Sequence, residues 1–168
     1  MQREEPDLVP VRIFCKDNTA LNMAVRGPKV FLVNADPNDR SQHWFQCYDV
    51  GKLSDDTGRR AFALVNRTTG QAIVTMDSYW DREVVPSTCP YDVVRLLPYS
   101  GYGAVTPSML WSQGGQLDDD GFTEIRWFKD ISNTLNGLEG NVKDGTLVGL
   151  FPSSPEASNA IWRIERIV

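Results

Sequence analysis

The sequence predicts an all-β fold of three four-stranded units with pseudo-threefold symmetry. Three observations carry that expectation. Short strand-like runs recur between turn signals along the chain, no segment keeps an apolar stripe of helical period over three turns, and one order of strands repeats three times, each time closing on a tryptophan. Many short strands at close spacing mean a barrel or a sandwich, and a threefold repeat favours the barrel.

The first unit, about residues 11–50, opens with Val11-Arg12-Ile13-Phe14-Cys15, which alternates polar and apolar side chains as a half-buried strand does. Ala20-Leu21-Asn22-Met23 reads as its second strand and Lys29-Val30-Phe31-Leu32-Val33 as its third, separated by the turn signal Arg26-Gly27-Pro28. Gln42-His43-Trp44 closes it. The second unit, about residues 61–112, runs from Ala61-Phe62-Ala63-Leu64-Val65 through the turn Thr69-Gly70 to Gln71-Ala72-Ile73-Val74. It then offers Val93-Val94-Arg95-Leu96-Leu97 as one apolar run and closes at Met109-Leu110-Trp111. The third unit, about residues 122–168, opens with Glu124-Ile125-Arg126-Trp127-Phe128 after the turn Asp120-Gly121. Thr134-Leu135-Asn136-Gly137 follows, then the turn Asp144-Gly145, the run Leu147-Val148-Gly149-Leu150 and the close Asn159-Ala160-Ile161-Trp162. Trp44, Trp111 and Trp162 are large enough to fill the centre of such a barrel, one from each unit.

Two segments fall outside the repeat. Met1 to Asp7 are polar and acidic, and residues 1–10 read as a flexible N-terminal segment ahead of a single domain spanning 11–168. Residues 76–91 read as a loop inserted in the second unit, with two prolines and three aromatics around Tyr79-Trp80; such a loop is either packed on itself or a contact surface.

Composition narrows the function. A formal net charge of -5, with no Lys/Arg run longer than Arg59-Arg60, argues against nucleic acid as a partner. No apolar stretch reaches the roughly 18 residues of a membrane span, and nothing in the first residues reads as a secretory leader. Cys15, Cys47 and Cys89 are odd in number and irregularly spaced, which suits free thiols in a reducing compartment. Enzyme signatures are missing. The single histidine, His43, has no nucleophile partner marked by spacing and reads as structural. No phosphate loop, dinucleotide fingerprint or Gly-x-Ser-x-Gly occurs. Neither a Cys-x-x-Cys nor a second histidine offers a metal centre, and Asp118-Asp119-Asp120-Gly121 lacks the spaced ligand array of a calcium loop. No cofactor is expected. Asn66-Arg67-Thr68 fits the glycosylation pattern but is expected to stay unmodified without a leader.

Taken in order, several segments resemble the Euonymus-lectin-type domain of plants, a branch of the ricin-B-like β-trefoil lectins. They are Val11 to Lys16, Ala35-Asp36-Pro37 leading to Gln42-His43-Trp44, Ala61 to Ile73, Leu97-Pro98-Tyr99, Leu110-Trp111 and Lys143-Asp144-Gly145-Thr146. The likeness spans Val11 to Ile164. It implies a β-trefoil, carbohydrate binding without metal, a place in the cytoplasm and nucleus, and a link to abiotic stress.

The resemblance also implies a site in the third unit: a carboxylate at Asp144, a stacking ring at Phe151 and an amide at Asn159. A carboxylate orients sugar hydroxyls through charge-assisted hydrogen bonds, and a ring covers the apolar face of a pyranose. This sequence departs from the family pattern at Phe151, where a tryptophan is usual, at Ser153, where a second aromatic is usual, and at Ala160, where a glutamine is usual. The same three residues also suit a turn aspartate, a core phenylalanine and a capping asparagine. The first unit has Arg26-Gly27 where a turn aspartate would stand, and the second closes without an amide, so one site per chain is expected. The partners expected are mannose- or galactose-containing glycans or glycoproteins; the alternative is a trefoil that has lost sugar binding and serves as a protein-interaction module.

Overall fold

A computed structural model describes residues 8–75, 92–101 and 105–167. The inserted loop expected at 76–91, Cys89, and all but the last three residues of the N-terminal segment lie outside the described residues.

Thirteen strands and three single-turn 3-10 helices are described. Six strand segments close a barrel. β1 (Val11–Cys15) pairs along its length with β13 (Trp162–Arg166) and, through Val11, with Trp44 at the start of β4 (Trp44–Cys47). β4 pairs with β5 (Ala63–Asn66). Phe62, just ahead of β5, bridges Trp111 at the start of β9 (Trp111–Gln113), and β9 pairs with β10 (Ile125–Trp127). Thr123 bridges Trp162 and so returns the ladder to β13. Closure removes the unpaired edges that an open sheet would leave.

Each unit sends out one hairpin: β2 (Leu21–Arg26) with β3 (Lys29–Asn34), β6 (Gln71–Val74) with β8 (Arg95–Pro98), and β11 (Asp130–Gly137) with β12 (Val148–Pro152). The hairpins meet one another: Phe31 bridges Leu147, and the two-residue β7 (Asp92–Val93) pairs with β12. A six-stranded barrel with a hairpin triplet is the β-trefoil that the repeat predicts.

The tryptophans explain why three dissimilar units adopt one arrangement. Trp44, Trp111 and Trp162 are each 0% exposed. Each indole N–H donates to a second-strand carbonyl at the same relative place: Trp44 to Met23 at 2.9 Å, Trp111 to Ile73 at 3.0 Å and Trp162 to Leu135 at 2.7 Å. The apolar ring fills the core while its one donor is satisfied, which is the condition for burying indole without penalty. Ile13, Leu64 and Ile125, at matching places on the first strands, are also fully buried.

The strands depart from expectation in three places. The tryptophans that close each repeat in the sequence stand at the start of the fourth strands, which run on beyond them. The run Val93–Leu97 is not one strand: it breaks at the buried Val94, because Val93 pairs with β12 whereas Arg95 onward pairs with β6. The second strand of the third unit starts at Asp130, four residues earlier than the apolar run suggests.

Candidate functional site

A short 3-10 turn precedes each tryptophan: Arg40–Gln42, Pro107–Met109 and Ser158–Ala160. Gln42, Met109 and Ala160 therefore occupy one place in the threefold, and Ser41, Ser108 and Asn159 another. In the first unit the buried Gln42 gathers its surroundings. Its Nε2 donates to the Asn34 carbonyl at 3.0 Å and to Asp39 at 3.3 Å, and its Oε1 accepts from Asn22 Nδ2 and the Asp36 N–H. Ala160 can do none of this. In the third unit the neighbouring Asn159 takes part of the task, donating from Nδ2 to the carbonyls of Gly137 at 2.8 Å and Glu139 at 3.2 Å.

Phe151 and Asn159, two of the three residues expected to form the site, line one concavity of about 140 Å³. Phe151 is half-buried on β12, in register with Thr134 on β11. Asn136, Leu138, Glu139 and Ser154 share the wall. Asn136 is buried, and its Nδ2 donates to the carbonyl and the hydroxyl of Thr134, each at 3.0 Å.

Asp144 is elsewhere. Its Oδ1 accepts the Asn34 N–H at 3.0 Å, and with Gly145 it borders a different, open cleft of about 620 Å³ in front of the first unit. The cause is a pairing between units. Gly145, at φ 97°, donates its N–H to the Leu32 carbonyl, and Leu32 donates back to Thr146, both at 2.8 Å. The turn is thus bound to β3, and its aspartate reaches across to the first unit. The carboxylate that shares a wall with Phe151 and Asn159 is Glu139.

The first-unit cleft is therefore more elaborate than Arg26 alone suggests. Arg26 is held by Ser41 Oγ at 2.6 Å and Asp39 at 2.9 Å. The Ser41 hydroxyl, then Arg26, hold the Asp39 carboxyl down to about 2 against partial burial. Phe31, Asn34, Asp36, Asp39 and Asp144 lie around one opening. In the second unit Met109 and Leu110 are buried apolar side chains.

Other residues singled out in the sequence have structural partners. His43 is buried, with Nδ1 3.2 Å from Arg67 Nη1; burial, then the Arg67 charge, push its pKa down. Asn66 is buried, and its side chain is committed to the Ser41 carbonyl and to the N–H groups of Thr68 and Thr69. Asp118 pairs with Lys16 at 2.7 Å. Cys15 and Cys47 are free and buried, and burial pushes the Cys47 thiol up to about 12.

No family model matches the chain. The sequence is 35% identical over 160 residues to ricin B-like lectin R40C1 of Oryza sativa subsp. japonica, covering 92% of this chain and 42% of that protein. It is 31% identical over 169 residues to ricin B-like lectin R40G3 of the same plant, covering 97% of this chain and 76% of that protein. The chain thus spans less than half of the first relative and about three quarters of the second. Among solved structures it is similar to the Macrolepiota procera ricin B-like lectin in complex with lactose, at a TM-score of 0.68 and 12% identity over 98% of this chain and 99% of the other.

Proposed function

The chain belongs to the ricin B-like lectin family, and from that membership we propose that it is a carbohydrate-binding module whose glycan site is the third-unit cavity. One observation carries this reading: Phe151, Asn159 and Glu139 line a single concavity. Phe151 covers the apolar face of a pyranose. The Glu139 carboxylate accepts hydrogen bonds from neighbouring hydroxyls, and the amide of Asn136 or Asn159 meets a third. The chemistry requires no metal. A shallow site of this size suits a monosaccharide held at about 1 mM, roughly −4 kcal/mol, with longer glycans gaining at the rim.

The ligands proposed are mannose- or galactose-containing glycans. A glycan array with the purified chain identifies the strongest ligand, and calorimetry with that glycan tests the site. Phe151→Ala and Glu139→Gln are each expected to weaken binding about tenfold or more, the size of one lost stacking or charge-assisted contact. Asp144→Ala is expected to bind within about threefold of the parent, because its carboxylate serves the other cleft. Binding lost in Asp144→Ala and kept in Phe151→Ala would move the glycan to the first-unit cleft. Absence of any array signal would leave the interaction-module alternative. A place in the cytoplasm and nucleus, and a role in abiotic stress, belong to the same proposal; imaging of the tagged full-length protein in plant cells before and after osmotic stress tests both.

A further inference from the structure

We propose that Asp17, on the turn after β1 in the first unit, is the positioning residue of the third-unit cavity, its carboxylate tying the two walls together. The inference rests on the functional reading above. One wall is the 138–147 segment, which supplies Leu138 and Glu139; the other is the 3-10 turn Ser158–Ala160, which carries Asn159. Asp17 Oδ2 accepts the Val142 N–H at 2.7 Å, and Oδ1 accepts the Ser158 hydroxyl at 2.9 Å. The Asp17 N–H also donates to the Ser158 carbonyl at 3.1 Å. One side chain from another unit thus holds both walls, and Asn159 joins them as well.

The packing beneath makes this tie consequential. Val142 is buried in the main core cluster, and its Cγ1 would stand 2.7 Å from a Cβ placed on Gly137. The segment is thus pressed onto the end of β11, with a backbone N–H whose acceptor is Asp17. Removing that carboxylate leaves a donor unpaired at a buried residue, which favours a shifted or open segment.

The threefold shows that a carboxylate at this place is special to this cavity. Lys16, Arg67 and Phe128 each donate a backbone N–H to the residue before a tryptophan: Ile161, His43 and Leu110. The residues next along are therefore equivalent, and they are Asp17, Thr68 and Lys129. A carboxylate stands at this place only where the facing unit has Ala160 instead of the glutamine. In the first unit Gln42 joins the end of β3 to the 3-10 turn from inside. In the third unit Asp17 instead joins the segment between β11 and β12 to the 3-10 turn.

Asp17→Ala removes both side-chain bonds, whereas Asp17→Asn keeps an acceptor for Val142 and a polar partner for Ser158. Two readouts are taken on the whole chain, well below its melting temperature. Hydrogen exchange around residue 142 without ligand reads the wall directly, and calorimetry with the strongest array glycan reads the site. Asp17→Ala is expected to speed exchange there about fivefold to tenfold and to weaken binding by a similar factor through a less favourable entropy, because the wall must then order on binding. Asp17→Asn is expected to recover both to within about threefold, a rescue that a general loss of stability would not give. If Asp17→Ala does not fold, Ser158→Ala breaks half of the tie, with an expected loss of about threefold in affinity. Glycan binding by the parent with Asp17→Ala unchanged in both readouts overturns the proposal and leaves the glycan site standing. A parent that binds no array glycan overturns the glycan site, and with it any binding role for Asp17.

Discussion

Trp44, Trp111 and Trp162 show how much one atom matters at the residue scale. A change to phenylalanine keeps most of the buried ring but leaves a second-strand carbonyl without its donor. Trp162→Phe is expected to lower the unfolding free energy by about 1–3 kcal/mol in urea titration, the cost of an unpaired buried group plus a small void. Asp55 is a second such point. Its side chain is 0% exposed and accepts from Ser112, Thr57 and Arg126 at 2.5, 2.6 and 2.7 Å. Burial alone would raise its pKa; the hydrogen bonds from Ser112, Thr57 and the Arg59 backbone outweigh it and hold the carboxyl well below the usual range. A lowered folded pKa means stability that is complete above the unfolded value near 4 and lost as pH falls below it. Asp39, held to about 2, adds to the same acid loss between 3.8 and about 2. The urea midpoint is therefore expected to stay level from about pH 7 to 5 and to fall below about pH 4. Asp55→Asn is expected to cost about 3 kcal/mol at neutral pH and to flatten the acid fall, because Arg126 loses its counter-charge. An acid profile unchanged by Asp55→Asn would contradict this account. None of it was legible in the sequence, since Asp55 lies between the repeats and meets Ser112 and Arg126 only after the barrel closes.

At the scale of elements, turns and hairpins were the most legible parts. Gly27 and Gly145 both adopt positive φ and sit at matching places before the third strands, as the turn signals indicated. What a strand pairs with was less legible. Val93–Leu97 reads as one apolar run because all its neighbours are strands, yet it changes partner at Val94. Asp144 borders a different cleft from Phe151 and Asn159 for a related reason. Its order within the third unit matched the family pattern, but the turn is bound to β3 of the first unit, and no spacing along one unit reveals a bond to another. Glu139 carried no local signal, because its segment is fixed by Asp17, Asn159 and the packing of Val142. Gly137 tests that packing. Gly137→Ala sets a Cβ 2.7 Å from Val142 Cγ1 and 3.3 Å from Leu32 Cδ1, both on packed neighbours. It is expected to cost about 1–3 kcal/mol by overpacking and to weaken glycan binding together with stability, as read by urea titration and calorimetry on the same samples.

For the molecule as a whole, the repeat is both what made the fold readable and what conceals its function. Three tryptophans at equivalent places announce a closed barrel, and β1 meeting β13 closes it. The same symmetry presents the place before each tryptophan three times, with a different outcome each time. The first unit keeps the glutamine and gains Asp144 from its neighbour, the second closes on Met109 and Leu110, and the third replaces the glutamine with Ala160 and is rebuilt around Asn159, Glu139 and Asp17. The proposed glycan site therefore turns on which copy holds a ligand. Calorimetric titration of the parent, Phe151→Ala and Asp144→Ala with the strongest array glycan decides it. Measurable binding by the parent, a loss of about tenfold or more in Phe151→Ala and near-parent binding in Asp144→Ala are expected. Equal affinity of Phe151→Ala and the parent would contradict it.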